Sequence, residues 1–265
     1  MAHFLRDQKV ENITITEELV TQVSNILETK IELMNKENDA AKKMLISYII
    51  RFDNKGYRVF TLEDLLHHFH QGSKIDRIIF SLESSESITS SRAIGAFIEL
   101  RLDSIEPNSS NLTVTSDEND WVDASFSSIH DVLINFKNRS YIFRSNWMHF
   151  SIQIVGVIFG FLLSLWAAVK ISPNINIENS LIISFLFVIL IFSNSWTYIS
   201  QKINDLVHTT FPSLQFIRPN KDKTHWLMQT IIGGIIVAFT LYLLGSGFSY
   251  IGEVIGGLIN TDLSK

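Results

Sequence analysis

Three long apolar stretches in the second half of the chain constrain its fold more than any other feature. They cover about residues 149–170, 181–200 and 226–244 and hold almost no charged side chain. A helix of about 20 residues rises roughly 30 Å, which matches the hydrocarbon thickness of a bilayer. A central helix of a soluble bundle would need a polar face, and none of the three offers one. We therefore predict three transmembrane spans within a membrane region of residues 145–265.

Tryptophan and basic residues predict the orientation of these spans. Four of the five tryptophans stand at predicted span ends, where indole prefers the headgroup zone: Trp147, Trp166, Trp196 and Trp226. Lysine and arginine cluster before the first span and between the second and third, whereas the first connection and the tail are nearly free of them. The positive-inside rule then places the N-terminal region in the cytoplasm and the C-terminus on the periplasmic or outer side. No apolar secretory core precedes this region, so we expect a multi-pass protein of the cell inner membrane.

A ladder of small residues marks one face of the first span. It consists of Gly156, Gly160, Ser164 and Ala168, one every fourth position. Small residues let helices approach closely in lipid, where little hydrophobic drive for association exists. The ladder predicts a helix-packing face, and its partner is either the second span or the same span of another copy. The second alternative makes the protein a homo-oligomer.

Two polar residues and a glycine pair complete the predicted membrane features. Asn194 is the one strongly polar group of the second span and could hydrogen-bond across helices; an interfacial position near the cytoplasmic end of the span is the alternative. Residues 247–260 are apolar but too short for a comfortable span, and Glu253 lies in their middle. We expect an interfacial or re-entrant helix there, with Gly252 and Gly256 as a second packing pair; a continuation of the third span is the alternative.

The sequence of the N-terminal region, residues 1–144, predicts a small α+β domain with a mostly antiparallel sheet of about five strands and two or three helices. Thr16 and Thr61 are expected to cap helices, the second of which ends near Gly72. The turn sequence "DNKG" between two β-prone runs predicts a hairpin. Three further strand-like runs, "IDRIIFSL", "RAIGAFIELRLD" and "NLTVTS", precede a helix over residues 121–139.

Charge and composition exclude several functions. The chain has 22 basic and 27 acidic residues, for a net charge of −5, and the acidic excess lies in the N-terminal region. Nucleic-acid binding favours a basic surface, so no nucleic-acid partner is expected. The chain has no cysteine, which excludes disulfides and thiolate chemistry.

The strongest metal candidates are Asp64, His67 and His70, which share one side of a predicted helix. Two imidazoles and a carboxylate could bind zinc, but no HExxH motif or distant paired ligand is evident. The ordinary reading is a set of exposed helix side chains, and we predict no metal, no cofactor and no catalytic residue. The chain is therefore expected not to be an enzyme.

The layout resembles bacterial membrane effectors of abortive-infection and anti-phage systems, in which a small cytoplasmic sensor domain precedes two or more spans. The resemblance rests on "DENDWVD" (residues 117–123) and "TTFPSLQFIRPNKDKTHW" (residues 209–226). It implies an oligomeric inner-membrane effector whose cytoplasmic domain senses a trigger or binds a protein partner. A membrane-anchored scaffold or signalling subunit is the alternative, and a membrane-bound metal-dependent hydrolase is a remote one.

Overall fold

The computed structural model describes residues 4–36 and 43–218, together with eight single positions between 230 and 249. The chain divides into two compact units. The first, here called the head, runs to Tyr141 and resumes at Pro212, and the second contains Ile142–Phe211. The predicted third span, apart from those single positions, lies outside the described residues, as do Gly252, Glu253 and Gly256 of the predicted C-terminal helix.

The head contains a six-stranded antiparallel sheet and a separate parallel pair of short strands. The strands of the large sheet are β1 (Phe4–Lys9), β3 (Met44–Phe52), β4 (Lys55–Val59), β5 (Ile75–Ser84), β6 (Phe97–Asp103) and β7 (Asn111–Ser116). Their spatial order is β1-β7-β6-β5-β3-β4. The parallel pair consists of β2 (Ile13–Ile15) and β8 (Leu214–Phe216). The predicted α+β domain with an antiparallel sheet is confirmed.

The sheet buries one face because its apolar residues alternate along each strand. Tyr48, Phe80, Leu100 and Leu112 lie opposite one another across four neighbouring strands, and each is at most 1% exposed. Neighbouring rows on the same face are also apolar, as the two-residue period of a strand requires. This row and its neighbours form the centre of the head's core.

Three helices share this core with the sheet. They are α1 (Glu17–Met34), α2 (Leu62–Gln71) and α4 (Asn119–Asn135), and a short helix α3 (Ser85–Thr89) follows β5. Thr16 Oγ1 accepts a hydrogen bond from the backbone N–H of Leu19, and Thr61 Oγ1 accepts one from Asp64, so both predicted caps are confirmed. Helix α2 ends before Gly72, as predicted.

The predicted β-hairpin is also confirmed. Strands β3 and β4 are joined by Asp53 and Asn54 alone, with φ angles of 50° and 61°. Left-handed geometry at both central residues defines the type I′ turn, which Asn and Asp tolerate better than other non-glycine residues.

The opposite face of the sheet carries a network of ion pairs. Asp103 is fully buried, and its carboxylate accepts hydrogen bonds from Arg77 at 2.6 Å and Arg101 at 3.0 Å. Backbone N–H groups of Ile105 and Glu106 donate to its second oxygen. Burial disfavours the charged carboxylate, but these donors outweigh that cost and hold the pKa of Asp103 below its usual value.

We expect the head to lose stability in acid, partly through Asp103. Its pKa is lower in the folded state, so its contribution is fully present above about pH 4, the unfolded pKa, and is lost as the pH falls through the folded pKa. Thermal unfolding of the purified chain between pH 2.5 and 6 measures this slope. In Asp103→Asn the dependence should be visibly flatter, and an unchanged slope in that variant would contradict the assignment.

The second unit contains an antiparallel pair of long helices, here called the helical hairpin. A short helix α5 (Ser140–Phe143) precedes α6 (Asn146–Ile171) and α7 (Ser180–Thr210). Both α6 and α7 are long and apolar enough to cross a membrane. The first two predicted spans therefore coincide with two long apolar helices, and α7 continues beyond its predicted end at residue 200 as far as Thr210.

Candidate functional site

The two connections between the head and the helical hairpin meet at one place in the head, here called the junction. It is formed by residues 12–15, residues 136–138, where the chain leaves the head, and residues 213–217, where it returns. Thr14 donates its backbone N–H to Phe136 at 2.9 Å, and Asn138 donates to the carbonyl of Asn12 at 2.7 Å. The backbone of residues 12–15 is therefore bonded directly to the outgoing chain.

The same short segment also holds the returning chain. Ile13 donates its N–H to Ser213 at 2.9 Å, and Ile217 donates to Ile15 at 2.9 Å, so β2 and β8 form a parallel ladder. Ile15 and Leu214 are at most 1% exposed and belong to the head's core. Strand β2 thus lies between the outgoing and returning segments and is bonded to both.

Side chains reinforce the junction. The Asn138 side-chain amide donates to the carbonyl of Ser213 at 3.4 Å, and the backbone N–H of Asn12 donates to the Ser213 hydroxyl at 3.1 Å. Asn12 has a φ of 59°, in the left-handed region where Asn is several-fold enriched among non-glycine residues. This conformation turns the chain between β1 and β2 and places Asn12 against both connections.

Arg218 gives the returning segment a second anchor on the head. Its side chain is 5% exposed, and its guanidinium donates to the carbonyl of Gly72 and, at 2.8 Å, to that of Ser73. These carbonyls follow the C-terminal end of α2, where cations are favoured. These two hydrogen bonds add to the pairing of β2 with β8, so the returning segment is attached to the head at two places.

A groove of about 590 Å³ lies beside the junction in the head. Its floor is apolar and includes the buried residues Val10, Ile13, Leu112 and Leu133. Its rim is polar and brings together Lys9, Glu11, Asn12, His130, Lys137, Asn138 and Tyr141. A volume of this size lies in the range of small-molecule sites, and the lining of this groove combines apolar and polar side chains.

The rim of the groove has a positive bias. Lys9 forms an ion pair with Glu11 and donates to the side-chain oxygen of Asn108 at 2.9 Å, so its charge is compensated. The exposed side chain of Lys137 has no ion-pair or hydrogen-bond partner among the described residues. His130 is half-buried and stacks on Phe126. The groove therefore offers one uncompensated ammonium group and an imidazole above an apolar floor.

The small-residue ladder of the first predicted span faces the second helix of the same chain. Gly156, Gly160, Ser164 and Ala168 are the buried residues of α6. A Cβ atom at Gly156 would overlap the indole of Trp196, and one at Gly160 would overlap the ring of Phe192. While the helical hairpin is formed, the ladder is therefore occupied within the chain.

The predicted intramembrane polar residue lies elsewhere. Asn194 is exposed on the surface of α7 and does not share the packing face. The polar contact between the two helices comes instead from Trp196, whose indole N–H donates to Gln153 at 3.0 Å. Sequence reasoning placed Trp196 only at a membrane interface and did not identify this bond.

The metal candidates do not converge. Asp64 accepts a hydrogen bond from Thr61 at the start of α2, and His70 lies 3.4 Å from Glu17. The intervening His68 stacks on Tyr57. Within the part of the chain that the structure describes, no three His, Cys, Asp or Glu side chains are close enough to hold a metal ion.

Sequence reasoning missed the junction and the groove. Arg218 is one of the basic residues between the second and third predicted spans, and its position in the sequence gives no sign of its contacts with Gly72 and Ser73. The three-residue strands β2 and β8 are too short to give a periodic signal. In comparisons with protein families, curated proteins and solved structures, the chain shows no significant match.

Proposed function

We propose that the protein is a non-enzymatic, multi-pass protein of the bacterial inner membrane whose cytoplasmic head senses a trigger and transmits it to the helical hairpin. In this proposal the chain is an anti-phage effector that permeabilises the membrane when triggered. The hairpin and the predicted third span cross the bilayer, with the C-terminus on the periplasmic or outer side. Copies of the chain associate in the membrane, and the trigger is a ligand or a protein bound by the head.

The junction is the observation that carries this proposal. A signal passes between two sites when both bias one element that can take two arrangements. Strand β2 is bonded to the segment that leads to α6 and to the segment that returns from α7. A change in the position of β2 is therefore passed to the start of α6 and to the end of α7, because a short stretch of chain joins each of them to the junction.

The proposal predicts that Arg218→Met uncouples the head from the hairpin. The substitution removes the donors to Gly72 and Ser73, and hydrogen bonds made by a charged group contribute about 1.5–3 kcal/mol each. We expect amide hydrogen exchange in β8 to accelerate at least about tenfold. In cells carrying a membrane-potential dye, the wild-type chain should depolarise the membrane after phage infection, and the variant should not.

Arg51→Met is the matched control for this experiment, because Arg51 is an exposed arginine of β3. It should respond to infection as the wild-type chain does. Absence of depolarisation by the wild-type chain, on infection and also when residues 142–265 are expressed alone, would reject the permeabilising function.

A membrane-anchored scaffold is the second candidate, and one observation favours it. The small-residue ladder of α6 packs against α7 of the same chain, so this ladder is not available to a second copy while the hairpin is formed. A scaffold needs neither self-association nor a response of the hairpin to the head. In-cell cross-linking that detects only monomers, together with full function of a Gly160→Leu variant, would favour the scaffold over the effector.

A further inference from the structure

We propose that the groove beside the junction binds a small organic anion, made of an apolar body that carries a phosphate or carboxylate group. The inference deepens the proposed function, because it names the chemical class of the trigger that the head would sense. It is carried by the lining of the groove and by its position against the junction.

The floor of the groove requires an apolar body. Val10, Ile13, Leu112 and Leu133 form its buried apolar floor, and Ile134 and Tyr141, which are 42% and 56% exposed, add accessible apolar surface to the same groove. An inorganic anion alone would leave this surface in contact with water. A ring system or short acyl chain would remove apolar surface from water and so bind more tightly.

The charge on the rim of the groove favours a ligand that carries a negative group. The ammonium of Lys137 has no partner among the described residues, whereas Lys9, the other lysine of the rim, is already paired with Glu11. His130 adds a donor, and Asn12 lines the same groove, whereas the side-chain amide of Asn138 is already bonded to the carbonyl of Ser213. Oxyanions accept hydrogen bonds from lysine ammonium groups and from amide N–H groups.

The position of the groove links occupancy to the junction. Asn12 and Ile13 belong to the segment that is bonded to both connections, and Lys137 and Asn138 belong to the outgoing segment. An anion that contacts both walls would favour one spacing between these segments over others. Binding therefore shifts the equilibrium of the element that connects the head with the hairpin.

Equilibrium dialysis of the detergent-solubilised full chain against 1-naphthyl phosphate tests the proposal. We expect saturable binding, and at least tenfold weaker binding of 1-naphthol, which lacks the charge, and of inorganic phosphate, which lacks the apolar body. Lys137→Glu should weaken the binding of 1-naphthyl phosphate at least tenfold. Lys55→Glu, the same charge reversal on an exposed lysine of β4, should not change it, and both variants carry the same micelle background.

A second variant tests the floor of the groove. Leu133→Gln should weaken 1-naphthyl phosphate more than inorganic phosphate, and far-ultraviolet circular dichroism establishes whether the variant is folded. Equal binding by wild-type and Lys137→Glu chains, or equal binding of 1-naphthyl phosphate and 1-naphthol, would overturn the anion site. Loss of the site with an intact Arg218-dependent depolarisation rejects only the ligand class, whereas anion binding without depolarisation rejects the proposed function.

Discussion

Replacing Gly156 by leucine is expected to disrupt the close packing of α6 against α7. The new side chain would occupy the volume of the Trp196 indole, which also donates a hydrogen bond to Gln153. Overpacking a close contact costs about 1–3 kcal/mol, and the indole cannot move aside without losing its bond to Gln153. Because small residues supply much of the attraction between helices in lipid, we expect the pair to lose its register.

A chemical cross-link between two introduced cysteines measures this effect directly, because the natural chain has no cysteine. The rings of Phe161 and Phe185 lie 5.5 Å apart across the two helices, so a bis-maleimide, whose reach is longer than a disulfide, should join cysteines at these two positions efficiently. Adding Gly156→Leu should reduce the yield severalfold. Val157→Leu, on the exposed side of α6, is the control and should leave it unchanged. An undiminished yield in the Gly156 variant would show that the helices do not depend on this close approach.

Replacing Asp103 by alanine is expected to destabilise the head more than any other single change in its ion pairs. The substitution leaves Arg77, whose side chain is 25% exposed, without its carboxylate partner, whereas Arg101 keeps a longer contact with Glu106 at 3.7 Å. Removing one partner of a buried ion pair costs about 3–5 kcal/mol, because the remaining charge is left uncompensated. The backbone N–H groups of Ile105 and Glu106 also lose their acceptor, so the connection after β6 should loosen.

Hydrogen exchange at the amides of β5 and β6 measures the loss of stability. The matched control is Asp123→Ala, which removes an aspartate paired with Arg6 at 2.8 Å on the exposed surface. Exposed pairs contribute at most about 1 kcal/mol, so this control should change exchange little. If the two variants behave alike, burial of Asp103 does not govern the strength of its network.

The elements of the head that carry local signals were predictable from the sequence. A threonine before an apolar 3–4 pattern gave the starts of α1 and α2, and the "DNKG" turn gave the β3–β4 hairpin. Each of these depends on contacts between residues that are close in sequence, so a single chain contains all the necessary information. The two long apolar helices were equally clear, because about 20 uncharged residues leave few alternatives.

Strands β1, β2 and β8 of the head were not predictable from local sequence signals. Strand β1 is exposed along its whole length and mixes apolar with charged residues, so it lacks the alternation of a half-buried strand. Charged residues are common on edge strands because they oppose pairing with other chains. Strands β2 and β8 are three residues long and lie about 200 positions apart, and only their packing in the core stabilises them.

The same distinction between local and distant contacts decides which candidate sites were predictable. The small-residue ladder was visible because its members recur at one spacing in one helix, although the spacing alone did not choose between the second helix and a second copy. The groove was invisible because its walls come from distant parts of the chain, chiefly residues 8–13 and 130–141. No short window of sequence contains both its apolar floor and Lys137.

The pairing of β2 with β8 also sets an order of events during synthesis. Ile13 and Ile15 emerge from the ribosome early, but their partner strand Leu214–Phe216 is made only after both long helices. The core of the head therefore stays incomplete until both long helices have been synthesised. A chain that ends before Pro212 would leave Ile13 and Ile15 without strand β8, so synthesis of both helices precedes completion of the head.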